Sequence, residues 1–107
     1  MIKIPSKFTI HCHEIKVVIV PELDSGDYAR YDNVKEEITV ASGMRDGAEL
    51  ISLSETQILA SFLHELIHAF QWHSGKEFSE EEAQTYSGLL LEFLKTKEDE
   101  LSSSVCK

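Results

Sequence analysis

Residues 54–94 read SETQILASFLHELIHAFQWHSGKEFSEEEAQTYSGLLLEFL, and the spacing of their apolar positions decides the fold. Ser54 and Gln57 stand at capping-box distance, and Leu53 with Ile58 can form the hydrophobic staple around them, which marks a helix start. Ile58, Leu59, Phe62, Leu63, Leu66, Ile67 and Phe70 then recur at helical spacing and cover more than one face. A helix of that kind is buried between a sheet and another helix. Gly75 is its natural stop. Ser79 and Glu82 repeat the capping-box spacing, and Ala83, Tyr86, Ser87, Leu90, Leu91 and Leu94 give a second helix its inward stripe. A connection as short as residues 74–78 makes the two helices antiparallel neighbours.

Upstream the period changes from helix to strand. Residues 8–20, FTIHCHEIKVVIV, are rich in β-branched side chains and are broken at His13-Glu14, where one strand can turn back on another. Pro21 to Gly26 is turn-rich, and it leads through Tyr28 to Tyr31 into Glu37 to Ala41, EITVA, which alternates with period 2 as a strand with one buried face does. Ser42 to Ser52 carries Gly43 and Gly47 without a sustained pattern and reads as a connection containing at most a helical turn. The expected fold class is therefore α+β: a small, mostly antiparallel sheet of three to four strands packed on the first helix and on a second, antiparallel one. One domain spans residues 1–97, followed by a flexible polar tail over 98–107.

Composition narrows the function. A chain of 107 residues with 42% hydrophobic residues supports one core. Its net charge of -9 repels phosphate backbones and anionic head groups, which argues against nucleic-acid and membrane partners. No apolar run approaches the roughly 20 residues of a membrane span, and no apolar signal core follows the first residues, so a cytoplasmic protein is expected. Cys12 and Cys106 have no metal-type spacing and read as incidental thiols. Phe62, Phe70, Trp72 and Phe93 suit either a core or an interface, so the oligomeric state stays open.

One motif carries chemistry. His64-Glu65-Leu66-Ile67-His68 is an HExxH within the first helix, where residues four apart share a face, so both imidazoles can converge on one metal ion. Zinc held by two His and one carboxylate keeps its fourth position open for a water, whose pKa it lowers to about 7. Glu65, beside the pair, can take the proton of that water and later deliver it to the leaving amine. The bland alternative is a structural His pair. It would bury two imidazoles and a carboxylate with no evident partners in the N-terminal half, which is costly.

The third ligand should lie downstream. His73 is turned off the ligand face and suits the helix C-terminus, where it complements the dipole. The two further spacings of a three-histidine site are absent, since position 71 is Gln and position 74 is Ser. Glu80, Glu81 and Glu82 open the second helix, which runs back along the first. Glu82 has a capping role and Glu81 falls on the outward side, while Glu80 shares the side of Ala83, Ser87 and Leu91. Glu80 is the first choice and Glu82 the next.

These residues also resemble a known family. The stretch HELIHAFQWHSGKEFSEEEAQTYSGLLLEFL is similar to the two-helix core of small gluzincin-type metallopeptidases, especially compact single-domain ones often encoded by bacteriophages and prophages. A His-containing N-terminal hairpin, the Gly26-Asp27-Tyr28 element and the strand beginning Glu37-Ile38-Thr39-Val40 recur in the same order, so the likeness covers residues 7–95. The resemblance implies Zn2+ bound by His64, His68 and Glu80, with Glu65 as general base and a peptide or protein as substrate. Compact relatives often carry an acidic residue where this chain has Gln84, and larger ones complete the cleft with a second domain, so a shallow cleft and narrow specificity are implied. The strand Glu37 to Ala41 is expected to offer its edge to the peptide. Tyr28, Tyr31, Tyr86 and His73 are candidate donors to a developing oxyanion. The alternative function is a non-catalytic, zinc-stabilised protein-binding module on the same fold.

Overall fold

The computed structural model describes residues 3–24 and 26–103, with side chains as far as residue 97. β1 (Lys7–Ile10) and β2 (His13–Val20) form an antiparallel hairpin. Its turn is His11-Cys12, both at positive φ (49° and 68°), as a two-residue turn matching strand twist requires. The turn thus precedes His13-Glu14, which begins β2 instead of breaking the strand. β3 (Ala29–Asp32) pairs antiparallel with β4 (Glu37–Ala41), and β4 pairs parallel with β2, giving the order β1-β2-β4-β3. Two of the three pairings are antiparallel, as expected of a mostly antiparallel sheet.

β4 is therefore an interior strand, and the role of edge strand passes to β3. That overturns the expectation that Glu37 to Ala41 would present an edge to a peptide. Ser42 to Ser52 also departs from the sequence reading: it is a second hairpin, β5 (Gly43–Asp46) with β6 (Glu49–Ser52), forming its own two-stranded sheet. Gly43 is required there, since an added Cβ would meet the carbonyl oxygens of Ile51 and Pro21 at 2.9 Å. An Arg45–Glu22 ion pair ties the hairpin to the segment after β2.

α1 (Glu55–His73) begins at Ser54 with both halves of the capping box made. Gly75 ends it at φ +75°, the N–H of Gly75 bonding Trp72 O (3.2 Å) and that of Lys76 bonding Gln71 O (2.9 Å), the paired bonds of a Schellman stop. α2 (Glu80–Ser103) packs antiparallel on α1. It continues past residue 97, where the sequence suggested the domain would end, while residues 104–107 of the expected tail, with Cys106, lie outside the described residues. Among the described residues Cys12 is an exposed thiol with no disulfide partner.

Alternation along the strands builds the core. Ile15 and Val17 of β2 with Ile38 and Val40 of β4 are buried against Leu59, Phe62 and Leu63 of α1, and Leu90, Leu91 and Leu94 of α2 close the cluster. Each fully buried aliphatic side chain contributes about 1.5–3 kcal/mol. Phe62 belongs to the core, whereas Phe70, Trp72 and Phe93 are substantially exposed. No helix among the described residues is long and apolar enough to cross a membrane.

Candidate metal centre

Helical geometry brings the motif together as its spacing requires. His64 and His68 lie one turn apart on α1 with ring centroids 5.0 Å apart. The first residue of α2 meets them: Glu80 Oε2 is 3.1 Å from His64 Nε2, and Oε1 is 2.6 Å from His68 Nε2. One carboxylate thus spans both imidazoles from the neighbouring helix. Burial pushes the Glu80 carboxyl up, but the hydrogen bonds and charges of His68 and His64 outweigh it, so its pKa is lowered overall. Of the other acids opening α2, Glu81 is exposed, and Glu82 turns to Gln71, with Gln71 Nε2 donating to its Oε1 at 3.0 Å.

Glu65 lies beside the pair, and donor atoms of His64, Glu65 and His68 all fall within 4.8 Å of one another. Two carboxylates therefore border the imidazoles, but in different settings. Glu80 is 80% exposed at its side chain and touches both Nε2 atoms, whereas Glu65 is partly buried and accepts from the backbone N–H of Tyr31. Burial is the largest influence on Glu65 and pushes its carboxyl above the ordinary range; the Glu80 charge adds to this, and His68, His64 and the Tyr31 N–H oppose it. The two carboxylates thus differ: Glu80 reaches both imidazoles from solvent, and Glu65 stands beside them in a drier setting.

Gln71, which the sequence offered only as a break in the three-histidine pattern, packs against the site. Its side-chain oxygen pairs with His68 Nδ1 at 2.8 Å and accepts from the Ser79 N–H at 3.2 Å; its amide nitrogen donates to Ser79 O at 3.2 Å and to Glu82. With the Gln71 carbonyl accepting from it, Nδ1 keeps the ring proton and Nε2 is left to face Glu80, the tautomer a metal needs. Gln71 also replaces half of the expected second capping box: Glu82 N–H still donates to Ser79 Oγ at 3.2 Å, but the Ser79 N–H goes to Gln71 and not to the Glu82 side chain. The sequence signal was its place three residues after His68, within side-chain reach on a helix. Gln84 lines the cleft. Support for His68 comes from α1 itself.

The imidazoles floor an open cleft of about 840 Å³, bordered by β3, α1 and α2, with Tyr28, Tyr31, Phe78 and Gln84 among its walls. Because Tyr28 O accepts from Ala41 N at 2.8 Å, ladder alternation turns the backbone groups of Ala29 and Tyr31 away from β4, toward the outer edge. Of the four candidate oxyanion donors, Tyr28 and Tyr31 line this cleft. Tyr86 lies instead on a separate groove with Phe70 and Phe93, and His73 faces Glu36. The Tyr31 hydroxyl is buried without a hydrogen-bond partner; burial, then the charges of Glu36 and Asp32, raise its pKa. No protein-family model, curated protein or solved structure matches the chain.

Proposed function

We propose that the chain is a zinc-dependent peptidase of gluzincin type, in which His64, His68 and Glu80 hold the ion and Glu65 is the general base. The observation that carries this reading is the single Glu80 carboxylate set against the Nε2 atoms of both imidazoles. Two nitrogens and one oxygen, with Nδ1 of His68 already occupied by Gln71, make a donor set suited to zinc and leave a position open on the cleft side. Zinc bound there would polarise a carbonyl and acidify water at neutral pH.

The remaining steps belong to the chain. An extended peptide adds to the outer edge of β3 through the backbone groups of Ala29 and the C=O of Tyr31, whose N–H is held by Glu65, which sets its scissile bond over α1. Glu65 removes a proton from the attacking water as the new C–O bond forms, then passes it to the amine nitrogen as the C–N bond breaks. Its raised pKa suits it to both transfers. Tyr28, half-exposed at the cleft, would meet the carbonyl oxygen by giving up its weak hydrogen bond to Met44 Sδ (3.9 Å), since the Tyr31 hydroxyl is sealed from solvent. A cytoplasmic setting belongs to the same proposal.

The test is a peptide mixture incubated with zinc-loaded protein and read by mass spectrometry. Wild type should generate new termini, chelation should stop it, and Glu65→Gln should bind zinc yet cleave nothing. Cleavage surviving in Glu65→Gln overturns the assignment of the base. Stoichiometric zinc with no cleavage overturns the peptidase and leaves a zinc-stabilised binding module.

A further inference from the structure

A second cluster of ligating side chains lies away from the cleft. His13 opens β2, Glu36 sits in the turn between β3 and β4, and His73 ends α1. These three are distant in sequence, yet one donor atom from each falls within 4.8 Å of the others. His73 Nε2 is 3.2 Å from Glu36 Oε1, and His13 Nδ1 is 3.3 Å from the same carboxylate. The two imidazoles stand 5.0 Å apart, tilted by 44°.

Three details separate this cluster from an ordinary ion pair. The His73 side chain is only 7% exposed, and its Nε2 has no hydrogen-bond partner despite the nearby carboxylate, so the N–H direction misses the oxygen. A buried ring nitrogen without a partner is costly and calls for an explanation. The spacing supplies one. Ligands about 2.0–2.1 Å from a tetrahedral ion are roughly 3.3 Å from each other, close to the His–Glu separations here. Finally, His13 is 58% exposed, which leaves an approach for an ion and room for water to complete its coordination.

We propose that His13, Glu36 and His73 form a second metal site that takes a borderline divalent cation of the zinc class through two imidazole nitrogens and one carboxylate oxygen. Hard cations such as Mg2+ and Ca2+ prefer all-oxygen sites, so the nitrogen donors select against them. The site is separate from the first. On α1, His73 follows His68 by five residues, about 7.5 Å along the axis and roughly 140° around it, which puts it on another face. The turn bearing Glu36 is held in place by Lys16 N–H donating to Glu36 O (3.0 Å) and by Val34 and Lys35 N–H groups donating to Asp32 Oδ1 (2.9 and 3.0 Å). A bound ion would therefore pin the C-terminal end of α1 to the β1–β2 hairpin and the β3–β4 turn.

The experiment is zinc stoichiometry by elemental analysis after equilibration with zinc(II) and a weak competing chelator. It uses wild type, His68→Ala, His13→Ala, Glu36→Gln and the His13→Ala/His68→Ala double variant, with circular dichroism as a check on folding. The expected values are two zinc ions per wild-type chain, one in each single variant and none in the double. His13 and Glu36 lie at the surface end of the cluster, so their variants test the site without emptying the core. A wild-type chain with one zinc that His68→Ala loses and His13→Ala keeps overturns the second site. Zinc counts unchanged by His68→Ala but lowered by His13→Ala would sink the cleft assignment and leave this one standing. As a second readout, added zinc should raise the melting temperature of His68→Ala and leave that of the double variant unchanged; equal shifts would mean binding elsewhere.

Discussion

Replacing Gln71 by Leu tests how far fold and site share one residue. Gln71 is 2% exposed and makes four polar contacts, to His68, to the N–H and the C=O of Ser79, and to Glu82. A neutral hydrogen bond contributes about 1 kcal/mol net, so the four together represent roughly 4 kcal/mol. Half-buried Glu82 and the loop groups of Ser79 regain some water, and Leu restores packing at similar volume. The expected loss in the metal-free protein is therefore about 2 kcal/mol, or roughly 8–16 °C in melting temperature for a domain of this size. Losing the partner of His68 Nδ1 should also weaken zinc binding by about 10–100-fold, equivalent to about 1.4–2.7 kcal/mol. Urea denaturation with chelator present measures the first effect, and competition against a chromophoric zinc chelator measures the second. A softened fold with unchanged zinc affinity would refute the argument that Gln71 orients His68, and an unchanged urea midpoint would refute its place in the helix connection.

Other consequences can be measured in the same assays. Because burial raises the Glu65 carboxyl, the folded chain disfavours its ionised form. The contribution of Glu65 to stability is fully present below its unfolded pKa and is lost as pH rises through the folded one; metal-free Glu65→Gln should therefore outlast wild type in urea at pH 7 and match it near pH 3.5, and equal midpoints at pH 7 would count against this. Ile38, fully buried on the interior strand, should cost about 2–5 kcal/mol as Ala, and a loss under 1 kcal/mol would mean that the core is not centred there. Gly75→Ala and Gly88→Ala should move in opposite directions, although a Cβ meets nothing within 4 Å at either position. At φ +75° the first should cost about 1–2 kcal/mol, while the second, within α2, should gain up to about 1 kcal/mol; the same sign for both would disprove the backbone argument.

Local rules made much of this chain legible. Both helices, the cap at Ser54 and the stop at Gly75 follow from signals within a few residues of each other, and so does the convergence of His64 with His68. Glu80 was reachable because a short connection fixes how α2 returns along α1, which leaves little choice among its first residues. What escaped depends on partners far apart in sequence. The parallel pairing of β2 with β4 leaves no mark on either strand alone, and without it β4 looks like an edge. His13, Glu36 and His73 have no common spacing, and His73 alone reads as a dipole-complementing end residue. The second hairpin was a different case, since Asp46-Gly47 is a local turn signal that the weak alternation of its flanking strands obscured. Gln71 was hidden for a third reason: its amide serves His68 and a helix start simultaneously, and neither use shows in residue type.

The joint between α1 and α2 has a consequence for how the chain can vary in length. Glu80 reaches the imidazoles only because the Schellman stop, the five residues 74–78 and the Ser79 cap set α2 at one height against α1. An added residue there would advance the chain by up to about 3.3 Å, roughly the whole separation between Glu80 and His64. The turn at Gly47-Ala48 faces no such restriction. Insertions and deletions among sequences that keep this site should therefore gather in the second hairpin and spare the joint, where one residue too many would leave both helices intact and Glu80 out of reach of the two imidazoles.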